Sequence, residues 1–320
     1  MRLRERLSEK PLPSGSGGVT SSTPYGRARL AVGDAGVDRR AGGRAGIVAG
    51  GRSCWNATVC NGSLRPLGEP SGRAASLVCC PHAGGTAAFF RSWPTYFPPD
   101  IHIVPVQYPG HGDRLDESCL DDVHELSALL AAEVADLPGL ILFGHSFGAA
   151  VAFEAAVRLS AAGTPPQAVY ISARGAPHHD LERVRPPRTD AAIWEEMERL
   201  GGTPPEIAAA PEWRELLTPI LRADFHADAD YRPSPTRLPC PITVLLGEDD
   251  ADLPAASIEA WREYTAAEFA VRVFPGGHFY LADHVPAIAA QVAGQVAALR
   301  SPSPRAGGDG ARLSTSGGTP

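Results

Sequence analysis

At 320 residues and 43% hydrophobic, the chain has room for one large domain or two small ones and enough apolar side chains for a sizeable core. Its net charge of −7 excludes the strongly basic balance of a dedicated nucleic-acid binder. No run of 18 apolar residues exists to cross a membrane as a helix.

The charge is unevenly spread. Residues 1–52 hold ten Lys/Arg against four Asp/Glu, a net of +6, so the −7 total leaves −13 on residues 53–320. Residues 1–74 are rich in Gly, Ser and Arg and keep no strand or helix period. They bury too little apolar surface to offset the entropy of ordering, and 1–74 is expected to be a disordered extension. The tail 301–320 reads the same way. The opening MRLRERLSEKPLPSG carries positive charge, but no apolar h-region of the 7–15 residues a secretory signal needs follows it. A cytoplasmic protein with a folded unit at 75–300 is the expectation, with neither nucleic acid nor membrane as partner.

Within that unit, short apolar runs alternate with helical patterns. SLVCC (76–80), IHIVPV (101–106), LILFG (140–144), AVYIS (168–172), PITVLLG (241–247) and FAVRVF (269–274) read as buried strands. TAAFFRSWPTYF (86–97) is expected to be helical. So is 120–137, where Val123, Leu126, Leu130, Val134 and Leu137 share one stripe and Asp121 or Asp122 caps the start. FGAAVAFEAAVRLSAAG (147–163) is a third helix, ending at Gly163. Residues 256–267 and 284–300 complete the set. Strictly alternating strands and helices imply a parallel sheet with helices on both faces. Of the six cysteines, Cys79, Cys80 and Cys240 border apolar runs and read as core residues, and Cys54 and Cys60 have no second pair to complete a zinc site. No metal or cofactor is expected.

The alternation breaks between residues 174 and 237, where no strand appears. Two helical patterns, 189–202 and 211–231, stand there instead, separated by TPPEIAAA. An insertion of this length between strands is expected to act as a lid.

The chemistry centres on Gly144-His145-Ser146-Phe147-Gly148. Between a strand and a helix, G-x-S-x-G describes a nucleophile elbow, whose tight turn requires small residues two before and two after the serine. A serine hydroxyl needs a base. His278 follows the last strand through Pro275-Gly276-Gly277, in the loop where this chain order puts the base. His145 is assigned to packing or hydrogen bonding behind the site, and His284 to structure. The acid belongs after the preceding strand, where Glu248, Asp249, Asp250 and Asp252 compete; Asp250 is preferred, with Asp249 second. An oxyanion hole needs two backbone amides. Phe147 supplies one, and the loop Pro81-His82-Ala83-Gly84-Gly85 the other.

CPHAGG followed by FRSW, then VQYPGHGDR, GHSFG, RADF with a tyrosine soon after, and FPGGHFYL resemble the type II thioesterases, stand-alone α/β-hydrolases that accompany non-ribosomal peptide and polyketide synthases. The likeness covers about 75–300. It implies an α/β-hydrolase fold, a Ser146, Asp250 and His278 triad, and a hole built from the amides of Ala83 and Phe147. It further implies an acyl substrate on the phosphopantetheine arm of an acyl or peptidyl carrier protein, an editing role and a monomer. His111 departs from the pattern, which has arginine there. Carrier domains are commonly acidic, as is residues 53–320 here, so Arg174, Arg183, Arg185 and Arg188 are the expected local docking patch. A carboxylesterase or an acyltransferase on the same three residues is the competing expectation.

Overall fold

The computed structural model describes residues 62–68, 75–180 and 188–300. Six strands form one all-parallel sheet: β1 (Ala75–Cys80), β2 (Ile101–Pro105), β3 (Leu140–His145), β4 (Ala168–Ser172), β5 (Ile242–Gly247) and β6 (Phe269–Phe274). Their spatial order is β2-β1-β3-β4-β5-β6, so the chain starts inside the sheet, moves to one edge, and then crosses back to build the other half. Every residue of β1 to β5 is buried, which is why these strands read as unbroken apolar runs rather than alternating ones. This is the α/β-hydrolase arrangement that the sequence implies.

Helix α1 (Val123–Val134) starts where Asp122 accepts from the amides of His124 and Glu125, at 2.6 and 3.0 Å, so the cap is Asp122 and not Asp121. Helix α2 (Phe147–Ala161) begins directly after β3. It closes through Gly163 N–H to Ser160 and Thr164 N–H to Leu159, at 3.1 and 2.9 Å. Cys79 and Cys80 lie fully buried in the main core and Cys240 at its margin, none in a disulfide.

Three expectations need correcting. Residues 86–97 form two separate 3₁₀ turns, Ala87–Phe90 and Trp93–Thr95, because Pro94 lacks an amide and restricts Trp93 before it. Residues 256–267 are short and mixed, with an α-helical turn at Ala255–Glu259 tightening into a 3₁₀ turn at Ala260–Tyr264. Buried Trp261 in that turn donates from Nε1 to the Arg174 carbonyl at 2.9 Å. Finally, residues 62–68 do not hang free of the unit starting at 75. Arg65 N–H donates to Pro105, Leu67 N–H to Ile103 and Gln107 N–H to Ser63, so this strap runs antiparallel along the outer edge of β2. The Glu133 carboxylate also accepts from the Ser63 amide, at 2.7 and 3.0 Å. The strap covers an edge that would otherwise expose unpaired backbone groups.

Between β4 and β5 the chain forms α3 (Pro177–Asp180), α4 (Asp190–Leu200), α5 (Pro205–Ala209) and α6 (Pro211–Asp230), with no strand among the described residues of the insertion. Ile193, Trp194, Met197, Ala208, Leu221 and Phe225 make a small core of their own, and Ala83 packs against both it and the main core. Trp213 and Leu216 stay on the outer face, each near 45% exposed. At the far end of α6, the buried Glu154 carboxylate accepts from the Tyr231 hydroxyl and from Ser234 N–H and O–H, which ties the insertion back to α2. No described helix is long and apolar enough to cross a membrane.

Candidate active site

β3 delivers Ser146 to its carboxyl end, where the chain turns at once into α2. Ser146 has φ 55° and ψ −118°, a conformation that costs a side-chain-bearing residue about 1–3 kcal/mol. The glycines at either side have a measurable reason. A Cβ at Gly144 would lie 2.1 Å from the Gly148 carbonyl oxygen, and one at Gly148 would lie 2.3 Å from the Cys80 oxygen. Both obstacles are backbone, so neither can move aside. The Ser146 amide donates to the Ser172 carbonyl at 2.8 Å, holding the elbow against the neighbouring strand.

Ser146, His278 and Asp250 come together. His278 Nε2 lies 2.9 Å from Ser146 Oγ, and His278 Nδ1 lies 2.8 Å from Asp250 Oδ2. A carboxylate accepts, so Nδ1 carries the proton and Nε2 is left to accept from the hydroxyl. The Asp250 side chain is 2% exposed and that of His278 is 10%. Of the competing acids, Asp249 is exposed, and its amide binds the Gly276 carbonyl at 2.9 Å; it is Asp250 that reaches the imidazole. The base loop can pass this close because β5 ends in glycine: a Cβ on Gly247 would meet the Gly277 oxygen at 2.2 Å.

Two further imidazoles stand behind His278. His145 is fully buried, its ring 5.3 Å from that of His278, and its Nδ1 lies 2.9 Å from Ser172 Oγ, itself 2.7 Å from the Tyr280 hydroxyl. Burial, then His278 and His82, hold the His145 pKa well below the ordinary histidine value. His82 sits edge-on to Phe89 and Phe279, and burial, His278 and His111 lower its pKa to about 3. Both rings are therefore neutral neighbours. His284 donates to the Pro275 carbonyl at 3.0 Å and braces the loop carrying His278, in keeping with its expected structural part.

The Pro81–Gly85 loop leaves the end of β1 directly beside the elbow, where Gly148 lies against the Cys80 and Pro81 carbonyls. It closes on itself through Gly85 N–H to the His82 carbonyl at 2.9 Å. Among the described residues, the Ala83 amide donates to no backbone carbonyl. Phe147 is the first residue of α2, where an amide has no acceptor within its own helix. The helix N-terminus beside Ser146 favours negative charge there.

The insertion touches each of the three loops. Asp224 on α6 accepts from the Gly84 amide at 2.7 Å. Arg199 on α4 pairs with Asp252 in the acid loop. Gly202 lies so close to Phe279, next to His278, that a Cβ there would meet the ring at 2.4 Å. The expected arginine docking patch does not form from the described residues: Arg174 is buried against Asp228 at 2.7 Å, and Arg188 pairs with Asp230. Arg183 and Arg185 lie outside the described residues.

RADF and His111 stand in separate sequence motifs with nothing in the sequence to link them, and no motif marks Ser172 or Tyr280. A signal existed for Asp224, a carboxylate four residues after Ile220 and three after Leu221 on the stripe that α6 buries. Among the described residues no group of His, Cys, Asp and Glu is arranged to hold a metal ion.

The thioesterase domain family matches residues 75–296. A probable cadicidin biosynthesis thioesterase of Streptomyces griseus is 41% identical over 72% of this chain and 64% of its own, so the match spans just under two thirds of that relative. Thioesterase PikA5 of Streptomyces venezuelae is 40% identical over 66% of this chain and 76% of its own. Among solved structures, YbtT, a type II thioesterase from the yersiniabactin NRPS/PKS biosynthetic pathway, superposes with a TM-score of 0.67 at 33% identity, over 75% of this chain and 100% of that one. An elbow serine hydrogen-bonded through a histidine to a buried aspartate, on this sheet and with these relatives, leads to one assignment: the chain belongs to the thioesterase domain family.

Proposed function

We propose that this protein is a type II thioesterase that hydrolyses acyl groups from the phosphopantetheine arms of acyl or peptidyl carrier proteins, clearing misprimed or stalled carriers in peptide or polyketide synthesis. The observation that carries the chemistry is the continuous Ser146–His278–Asp250 hydrogen-bond chain, at 2.9 and 2.8 Å. The carrier-bound substrate is supported by the relatives, among them a thioesterase of an NRPS/PKS pathway.

In this mechanism His278 Nε2 takes the Ser146 proton as Oγ attacks the thioester carbonyl carbon. The amides of Ala83 and Phe147 receive the negative oxygen. The C–S bond breaks, and the pantetheine sulfur leaves with the proton held by His278. A water then gives a proton to the same nitrogen and attacks the acyl-enzyme, and the proton returns to Ser146 as the acid is released. Asp250 holds the imidazole in the required tautomer throughout. Residues 75–300 with the strap 62–68 form the catalytic unit, and the insertion across 174–237 forms a lid over the acyl chain. The working form is a cytoplasmic monomer.

The test offers an acyl-carrier protein, an acyl-CoA and a p-nitrophenyl ester to the full chain and to Ser146→Ala. Turnover of the carrier thioester is expected to fall by about 10⁴-fold or more in the variant. Surviving thioester turnover would remove Ser146 from the mechanism. Activity on the oxygen ester alone would favour a carboxylesterase, and acyl transfer to an added alcohol or amine in preference to water an acyltransferase.

A further inference from the structure

Asp224 is a fully buried carboxylate on α6 that the mechanism above does not use. A buried carboxylate is costly unless it is paired and hydrogen-bonded. Here one oxygen takes two partners: Oδ2 accepts from Gly84 N–H at 2.7 Å and lies 2.9 Å from His111 Nε2. Its other oxygen, Oδ1, is buried and accepts from no described group. The carboxylate is thus turned toward Gly84 and His111 at the expense of its own solvation.

His111 is equally committed. It is 1% exposed, and its Nδ1 lies 2.9 Å from the Pro109 carbonyl oxygen. A carbonyl only accepts, so Nδ1 carries a proton. Nε2 then faces an oxygen of Asp224, and that contact also needs a proton between its two atoms. The pair is therefore held together by a shared, charge-assisted hydrogen bond that leaves no freedom to the ring. The ring also stands edge-on to Tyr108, whose hydroxyl donates to the Pro81 carbonyl at 3.3 Å, at the start of the same loop.

The leverage lies in the position of Gly84. Its N–H belongs to the peptide that follows Ala83, so holding that peptide fixes the ψ of Ala83. The turn closes on the other side through Gly85 N–H to His82. Leu221, one turn before Asp224, packs so tightly on the loop that a Cβ at Gly84 would lie 2.5 Å from its Cδ2. Ala83 itself packs against the core of the insertion.

We propose that Asp224, held in place by His111, is a positioning residue for catalysis: it clamps the Gly84 peptide so that the Ala83 amide points at the developing oxyanion. This rests on the thioesterase reading above, in which Ala83 lines the hole. It also makes the oxyanion hole dependent on the insertion, because α6 cannot shift without drawing Gly84 with it.

The test uses the full chain carrying Asp224→Ala and Asp224→Asn, with a short acyl thioester as substrate and an aryl boronic acid as a tetrahedral mimic on Ser146. Losing one hole donor outright typically costs about 10²–10³-fold in kcat. A displaced donor in Asp224→Ala is expected to lower kcat by about 30-fold and to weaken boronate binding by a similar factor, with KM within about threefold. Asp224→Asn keeps an acceptor oxygen for Gly84 and is expected to recover most of the loss. A kcat and boronate affinity within threefold of wild type in folded Asp224→Ala would overturn the clamp, and so would a loss confined to KM. Should Asp224→Ala not fold, glycine-labelled wild-type protein decides by NMR: the Gly84 amide is expected to be protected from hydrogen exchange, and exchange at the rate of an open loop would overturn the proposal. Ser146→Ala separates the two readings. If it stays active, the thioesterase mechanism fails; if it is dead while Asp224→Ala is unimpaired, only the clamp fails.

Discussion

The elbow at Ser146 is held by the sheet itself, through β3, the start of α2 and the adjoining strands β1 and β4, whereas the facing Pro81–Gly85 loop is held by a carboxylate of the insertion 140 residues away. At the elbow, Gly144 and Gly148 let two stretches of backbone touch, and the strained φ of Ser146 follows from that contact. In the loop, Gly84 is hydrogen-bonded to Asp224, and Leu221 presses on it, both from the insertion. The nucleophile is thus part of the rigid sheet frame, while the amide at Gly84 is set by a separate helical layer. Movement of that layer would leave Ser146 in place and still alter the loop opposite.

The largest effect that sharpens this contrast lies on the frame side. Asp250→Asn is expected to lower kcat by about 10⁴-fold, because the amide can donate to His278 Nδ1 and so favours the wrong tautomer. Asp249→Asn, one residue away but exposed, is expected to stay within about threefold. Steady-state kinetics on one acyl thioester checks both. Equal losses in the two variants would mean that the acid loop, like the oxyanion loop, takes its shape from outside the frame.

Next in size come two glycine substitutions. Gly148→Ala puts a Cβ against the carbonyls of Cys80 and Pro81, at 2.3 and 2.4 Å, so strand β1 and the start of the oxyanion loop must be pushed away. Overpacking against backbone is expected to cost about 3 kcal/mol, which for a domain of this size lowers Tm by roughly 6–12 °C. Gly277→Ala meets nothing within 4 Å and is expected to be neutral within about 0.5 kcal/mol. Thermal melts of the two variants measure the difference directly.

The histidines on the two sides of the site respond to pH in opposite directions. His82 and His145 have lowered pKa values, to about 3 for His82, so below pH ~6.5 the unfolded chain takes up protons that the folded one refuses. Their contribution therefore falls as the solution is acidified. Burial pulls His111 down too, but Asp224, its hydrogen bond and the Pro109 carbonyl outweigh burial and nearby Arg114, and its pKa is raised. Its stabilising contribution is complete below about pH 6.5 and is lost as pH rises through the raised value. Denaturant titrations of His111→Gln are thus expected to show a larger destabilisation at pH 5.5 than at pH 8.5, and those of His145→Gln the reverse. The same sign in both variants would break the distinction.

What was legible in the sequence follows the same division. β1 to β6 are apolar runs whose burial is decided by adjacent residues, and Ser146 and His278 follow strand ends in a fixed order, so local pattern is enough for them; for the acid it reaches the loop, with Asp250 preferred to Asp249, and the contact with His278 in the fold separates the two. Pro94 breaks the expected 86–97 helix by a local rule, the loss of its amide donor. Three features could not be read locally. The strap at 62–68 is short and broken by Gly and Pro, and it is ordered by distant partners: the edge of β2, Glu133, Asp113 and the core against which Leu64 and Leu67 pack. Arg174 looked like a free surface charge until Asp228 came beside it in the fold. The pairing of Asp224 with His111 spans 113 residues: the apolar stripe of α6 marks Asp224 as buried, but no spacing announces its partner.

The smallest expected effect tests how far the insertion's control extends. Arg199 on α4 joins Glu196 of its own helix and Asp252 of the acid loop, a tie from the insertion to the loop that carries Asp250. Unlike the Asp224 contact, it is solvent-facing: Arg199 is 48% exposed and Asp252 31%. Exposed pairs of this kind contribute about 0–1 kcal/mol and weaken with salt. Asp250 has a second hold besides, since its Oδ1 accepts from the Asp252 amide, a bond that does not involve the Asp252 side chain. Arg199→Ala is therefore expected to change kcat by less than about twofold and to lower stability by under about 1 kcal/mol, an effect that fades in high salt. A tenfold loss of kcat that persisted in high salt would place the acid loop under the insertion as well, and the triad would then no longer be independent of the layer that holds Gly84.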